Sequence, residues 1–333
     1  MKKLNEANLN VGDIILTSGP NRMSRKVRKW TNSDISHAMI YVATCSVIDS
    51  TGEGVHSTNT QRLFFDDEST VVALRYKTPL TIDILNKITD FARAATGTEY
   101  SRAEAVAVVT GRFKKTTRRQ FCSRLAAQAY AAGGIKLVAD TDYCSPEDLR
   151  NSSGLVEVDE ILLPATEEEK SHWENRLDIP RLMAECTNRF LAAARKKSKN
   201  IYALNDVHLH IMQHPEDDRY LSKALQASGY LTVWQKEFAK SPWHYDLELM
   251  KQLGARTEDG HEQMTWYCRT TVEGAAEGRR YEINGAQYAL LAKMTESETL
   301  RLLAELYGTL DRLHKHRVRV AQQWLRESHQ PNS

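Results

Sequence analysis

The sequence predicts an α+β protein. An antiparallel sheet packed against helices fills residues 1–164, and an all-helical domain of unassigned role follows over 165–333. Three observations predict this. Residues 12–76 alternate short apolar runs with turn residues, as in Asp13–Thr17, His37–Val42, Ser46–Asp49 and Thr70–Tyr76. Their β-branched content and period of two mark strands. From Thr81 the apolar period becomes helical, and after Pro164 the chain turns helical and charged. A length of 333 residues suits about two domains.

Each element follows from its own signal. Ile84, Leu85, Ile88 and Phe91 fall at helical spacing behind Asp83 in a first turn. A second helix is expected from Cys122 to Ala132, stopped by Gly133 and Gly134. The boundary is placed between Pro164 and Glu169, where the strand-like run Glu160–Pro164 meets an acidic helical turn. Residues 166–199 read as one or two helices split near Pro180. Further helices fit 216–227, 243–253 and a long 286–326. In the last, Leu290, Leu291, Met294, Leu302, Leu303, Leu306, Leu310 and Leu313 form an apolar stripe expected to be the core of the second domain.

Composition excludes several classes. Hydrophobic residues at 41% and charged residues at 26% are ordinary for a globular protein. No stretch approaches the ~18 apolar residues of a spanning helix. The opening Met1–Ile15 carries two lysines but then Asn and Glu where a signal peptide has its apolar core, so the chain is expected to be made in the cytoplasm, any export being signal-independent. A net charge of +2 argues against a dedicated nucleic-acid binder. The five cysteines show no CxxC pair, so neither a zinc knuckle nor a disulfide framework is expected.

One cysteine stands out. If a helix begins at Cys122, its thiol sits at the positive end of the helix dipole, with Arg118, Arg119 and Arg124 nearby. Both effects favour the thiolate, and a free N–H at the helix start could hold an oxyanion. The alternative is a small buried hydrophobe. A thiolate catalyst needs a base, and His37 heads a strand flanked by small residues. Taken alone, it could equally be a strand-edge histidine bonded to backbone. A third group should set the tautomer. Asp49, amid Val47 and Ile48 on the next strand, is costly to bury unless paired, which makes it a partner for His37. Glu53 and His56 are rivals, in or just after the Gly52–Gly54 turn.

In order along the chain stand Gly12–Leu16, Ser33-Asp-Ile-Ser-His-Ala-Met-Ile-Tyr-Val42, Val47-Ile-Asp-Ser-Thr51 and Gly54-Val55. Gly97–Tyr100, Phe121-Cys-Ser-Arg-Leu125 and Ser145–Leu149 follow. This ordered set resembles the permuted NlpC/P60 papain-like family, the YiiX/YaeF-like group, over about residues 10–158. In that family the histidine strand precedes the cysteine helix. The resemblance implies Cys122 as nucleophile, His37 as base and Asp49 as the polar third member. That third position is commonly Glu in the group, which leaves Glu53 as the fallback. Arg124 replaces an acidic or neutral residue and points to an altered substrate preference.

Other signals are weaker. Arg112–Arg119 reads as a basic rim for an anionic substrate or as a solvated loop. Arg118, Arg119 and Tyr100 are the candidate substrate contacts, with Gln120 a further pocket residue. Ser24–Lys29 with Trp30 reads as an amphipathic turn or a membrane-surface cluster. His208, His210 and His214 lie in a helical stretch where 208 and 210 diverge and 210 and 214 align, so no metal site and no cofactor is expected. Cys45, Cys144, Cys186 and Cys268 are expected to be structural thiols. The functional expectation is a cysteine acyl hydrolase working through a thioester, on a peptide or cell-wall amide, in the manner of a secreted antibacterial effector. A phospholipase or acyltransferase with the same triad, and a non-catalytic papain-like binding module, are the alternatives. The expected partners are an acyl-bearing substrate, peptidoglycan peptide or phospholipid, and an immunity or delivery protein docking on the helical domain.

Overall fold

The computed structural model describes residues 1–18, 33–101, 103–105, 108 and 117–328. It divides into two compact units, Met1–Leu191 with Lys199–Asp206, and Ala192–Ser198 with Val207–Ser333.

The first unit is built on a six-stranded antiparallel sheet. Its strands are β2 (Ile14–Thr17), β3 (His37–Ala43), β4 (Ser46–Thr51), β5 (Gly54–Asn59), β7 (Val71–Tyr76) and β8 (Leu155–Val158). Their spatial order is β5-β4-β3-β2-β7-β8. A three-stranded sheet pairs β1 (Lys2–Leu4) with β6 (Phe64–Phe65) and β9 (Leu162–Pro164). Alternation along the central strands feeds two cores. Ile14, Leu16, Ala38, Ile40, Val42 and Ile48 enter one, and Ile15, Met39, Tyr41, Val47 and Ala73 enter the other. Burying each large aliphatic contributes roughly 1.5–3 kcal/mol.

Helices α1 (Ile82–Ala94) and α2 (Cys122–Ala132) cover the first core. Thr81 caps α1, its side chain accepting from the Ile84 N–H. Ala126, Ala127 and Ala129 are fully buried, and their small side chains let the α2 backbone lie close to β3 and β4. Tyr130, at the far end of α2, donates to the Gly12 carbonyl at 2.6 Å. A short helix, α3 (Pro146–Arg150), carries a capping box from Ser145 and Asp148.

The first unit runs past Pro164. Beyond α4 (Glu167–Glu174), helix α5 (Ile179–Ala194) brings Thr187 and Leu191 against Gly97, where any Cβ would clash. Pro180 sits in the first turn of α5, where a missing N–H costs nothing.

Among its described residues the second unit has helices and no strand. After α6 (Leu204–Gln213) come α7 (Asp218–Ser228), α8 (Val233–Lys240), α9 (Leu247–Gly254), α10 (Gly260–Glu273), α11 (Arg279–Thr295) and α12 (Glu298–Ser328). Met250, Met264, Cys268, Val320, Ala321 and Trp324 form its core. The single long helix expected over 286–326 is two. Glu296 adopts φ 55°, and Asp218 accepts from the N–H groups of Glu298 and Thr299 at 2.7 and 3.2 Å, starting α12 afresh. The leucine stripe is broken there. Leu303 and Leu306 are buried, while Leu290 and Met294 are exposed. No described helix is long and apolar enough to cross a membrane.

The β4–β5 hairpin turns on Gly54, at φ +99°, where an added Cβ would stand 2.7 Å from the Thr98 carbonyl oxygen. Val55 donates to that same oxygen at 2.9 Å. Gly54→Ala is therefore expected to lower stability by about 1–3 kcal/mol, from the backbone strain alone. An unchanged urea midpoint would show that the turn tolerates a side chain and is not tied to residue 98.

Candidate active site

Asp49 and His37 come together because of strand register. Asp49 on β4 pairs with Met39 on β3, two residues from His37 at the strand head. The His37 ring reaches back along the sheet, and its Nε2 lies 2.6 Å from Asp49 Oδ2. A carboxylate only accepts, so Nε2 carries the proton and Nδ1 is left for the other side of the ring. There the imidazole and the Cys122 thiol act on one another.

Cys122 is the first residue of α2. The N-cap, Phe121, supplies no side-chain hydrogen bond, so the first turn presents uncapped N–H groups beside the sulfur. Burial pushes the Cys122 thiol up, but the hydrogen bond and charge of His37 and the N–H groups of Ala38 and Ser123 outweigh it. The thiol ends below the ordinary cysteine value. Burial pulls His37 down, yet its hydrogen bond to Asp49 and its interaction with Cys122 lift it above the ordinary histidine value. The two shifts favour a thiolate–imidazolium pair. Cys45, Cys144 and Cys268 are pushed the other way, to about 12, chiefly by burial. Cys186 is buried in α5 and accepts from Arg189 at 3.1 Å.

The other sequence candidates fall into place around this pair. Glu53 is exposed in the β4–β5 turn, and Asp49 instead holds the ring. Tyr100 makes a backbone bridge to Gln120, two residues before Cys122. Gln120 is buried and donates to Gln128 at 2.9 Å. Arg118 pairs with Asp206 at 2.8 Å and lies over the Tyr202 ring, and Arg119 pairs with Glu99 at 2.9 Å. The charge of both arginines is thus matched by a neighbour. Arg112–Thr116 and the Ser24–Trp30 cluster lie outside the described residues. In the second unit His210 and His214 do align, with ring centroids 4.7 Å apart, and His210 pairs with Asp217 at 2.8 Å. Among the described residues no three His, Cys, Asp or Glu side chains are placed to hold a metal ion. Two cavities, of about 490 and 480 Å³, are lined by residues that include none of Cys122, His37 and Asp49.

Arg124 corrects an expectation. Its side chain is 0% exposed, so it cannot meet a substrate. It donates to Glu104 at 3.0 Å, to the Asp142 and Arg119 carbonyls at 2.7 and 2.9 Å, and packs over the Phe121 and Tyr143 rings. Glu104 also accepts from the Thr117 N–H and hydroxyl, both at 2.7 Å. Sequence reasoning passed over Glu104, although a lone carboxylate in the run Ala103-Glu-Ala-Val carries the same signal of a buried pair as Asp49. This pair binds the chain on either side of residues 104–117 to the start of α2.

A thiol at a helix mouth, a strand histidine and a carboxylate behind it lie together on an antiparallel sheet, with the histidine first in the chain. Residues 8–162 match the family described as "Permuted papain-like amidase enzyme, YaeF/YiiX, C92 family". That part of the chain is similar to the permuted papain-like amidases, which are cysteine hydrolases. No curated protein matches the sequence. Among solved structures the chain is similar to the metalloprotein yiiX from Escherichia coli O157:H7, at 15% identity and a TM-score of 0.31, over 45% of this chain and 97% of that one.

Burial works against the Glu104 charge, but hydrogen bonds from Ser101, Thr117 and Arg124 prevail and hold its carboxyl at about 2. A depressed carboxyl contributes stability above its unfolded value and loses it as pH falls through the folded value. Glu104→Gln should therefore cost about 3–5 kcal/mol at pH 7, because it strands a buried guanidinium. The penalty should shrink as the pH approaches 2. Urea unfolding of both proteins at pH 7 and at pH 2.5 measures this, and an equal difference at the two values would refute it.

Proposed function

We propose that the protein is a cysteine amidase in which Cys122 is the nucleophile, His37 the general acid–base and Asp49 the residue that orients His37. The observation that carries this reading is the 2.6 Å hydrogen bond from His37 to Asp49, beside a Cys122 thiol that His37 lowers and that in turn raises the imidazole. The Cys122 thiolate attacks the carbonyl carbon of the scissile amide. The oxyanion takes the Cys122 N–H at the α2 mouth. His37 gives its Nδ1 proton to the departing amine, leaving a thioester. It then takes a proton from water, which attacks the thioester, releases a carboxylic acid and restores the Cys122 thiolate beside protonated His37. Asp49 keeps Nε2 protonated throughout.

An amide of a peptide, with cell-wall peptide as the favoured class, is the substrate we infer, because the family that residues 8–162 match is one of amidases. Arg118, Arg119 and Tyr100 flank the approach to α2 in sequence and are proposed to form the rim of the substrate site. The paired state of both arginines favours a structural share in forming that rim over direct capture of an anion.

Two experiments test this. Iodoacetamide at pH 6.5 should label Cys122 ahead of the other four cysteines. His37→Ala removes the hydrogen bond and the positive charge, so the thiol rises and labelling at that pH should slow about tenfold or more. Labelling of residue 122 no faster than residue 45 or 268 in the wild type would leave a non-catalytic module. For the substrate, purified peptidoglycan and phospholipid vesicles are incubated with the protein and analysed by mass spectrometry. Released peptides that vanish with Cys122→Ala support the amidase. Free fatty acid that vanishes with the same variant moves the reading to ester chemistry. Release unaffected by Cys122→Ala ends both.

A further inference from the structure

Asp49 has a second histidine. In the β4–β5 ladder Asp49 stands directly opposite His56, as it stands opposite Met39 in the β3–β4 ladder. One carboxylate oxygen, Oδ2, is taken by His37. The other, Oδ1, is buried and has no hydrogen-bond partner among the described residues. His56 Nε2 lies 3.8 Å from it. The Asp49 side chain is 6% exposed and that of His56 17%, so water screens the pair little.

The tautomer of His56 is set locally. Its Nδ1 lies 3.1 Å from the Gly54 carbonyl oxygen, which can only accept, so Nδ1 carries a proton. A neutral His56 would then turn the lone pair of Nε2 toward an anionic oxygen. A protonated His56 turns an N–H toward it. At 3.8 Å the contact is Coulombic, one short movement from a hydrogen bond. Among the described residues Asp49 is the only carboxylate within 4 Å of the His56 ring.

The charge balance of the site points the same way. With Cys122 as thiolate and His37 as imidazolium, the anionic Asp49 leaves a buried group with one surplus negative charge. An imidazolium at position 56 cancels it, at the oxygen that lacks a partner. Uncompensated buried charge is costly, and a remote positive charge acts through Asp49 to favour the anionic thiol.

Resting on the triad reading above, we propose that His56 is a positioning residue of the site. In its protonated form it pairs with Asp49 Oδ1, holds the carboxylate so that Oδ2 faces His37, and supplies the counter-charge that the thiolate–imidazolium state requires. It touches neither substrate nor sulfur.

The test uses the full-length protein and needs no substrate. The rate of Cys122 alkylation by iodoacetamide is followed from pH 4 to 9 in wild type, His56→Phe, His56→Gln and His37→Ala, each first shown to be folded by circular dichroism and thermal melting. Losing a positive charge raises the thiol, so the acid limb of the profile should move to higher pH in both His56 variants. On the acid side of that limb a displacement of one pH unit is about a tenfold slower reaction. His56→Gln should move it less, since its amide N–H can still reach Oδ1. The His37 Nε2 proton, observed by NMR, should also lose part of its downfield shift in His56→Phe. A purely structural role would lower the melting temperature and leave the limb where it is. If either folded His56 variant superposes on wild type while His37→Ala displaces the limb, the role of His56 is overturned and the triad survives. If His37→Ala also superposes on wild type, the triad itself falls. Should His56→Phe not fold, His56→Gln decides alone by the same displacement.

Discussion

The site depends on one buried carboxylate. Asp49 lies in the interior of a sheet, where an isolated charge would be expelled or neutralised. It is kept there by a 2.6 Å hydrogen bond to His37. That bond leaves the histidine with one nitrogen committed and the other facing Cys122. Remove the carboxylate and the imidazole has no fixed tautomer, no fixed rotamer and less reason to hold a proton. The strands supply what the bond needs, because antiparallel register brings Met39, Asp49 and His56 level across three neighbouring strands.

The helix side of the site answers a different constraint. A cysteine at the first position of α2 gains from the dipole only if the helix starts at that residue and its first turn stays open. Three buried alanines bring the helix body against the sheet, and Arg124 secures the start from within. Its guanidinium reaches Glu104 and two backbone carbonyls, so the chain entering the helix is tied to the helix itself. The charge that suggests a substrate contact in the sequence is spent inside the protein.

Much of this is legible in the residues. The switch from period two to a helical period separates sheet from helices because burial on one face repeats with backbone geometry. Thr81, Gly133 and the Cys122–Ala132 run mark their helices by capping and composition. Cys122, His37 and Asp49 can be singled out because each is a polar or reactive group in apolar surroundings, and such groups need partners. Glu104 carries the same signal. What fails is inference across breaks. The 286–326 pattern reads as one helix, since nothing in that stretch announces Glu296 in the left-handed region or an Asp218 cap arriving from another helix.

By itself, the sequence determined which groups called for a partner: a carboxylate among valine and isoleucine, and a histidine at a strand head. Local periodicity and the cost of burying polarity are properties of short segments, so they survive without coordinates. Only the tertiary structure decided the partners. It gave Asp49 to His37 and left Glu53 in solvent, joined Arg124 to Glu104, matched Arg118 and Arg119 to Asp206 and Glu99, and set His56 against the remaining oxygen of Asp49. Those choices are made by strand register and helix placement across tens of residues, where the chain between two groups carries no record of the distance at which they meet.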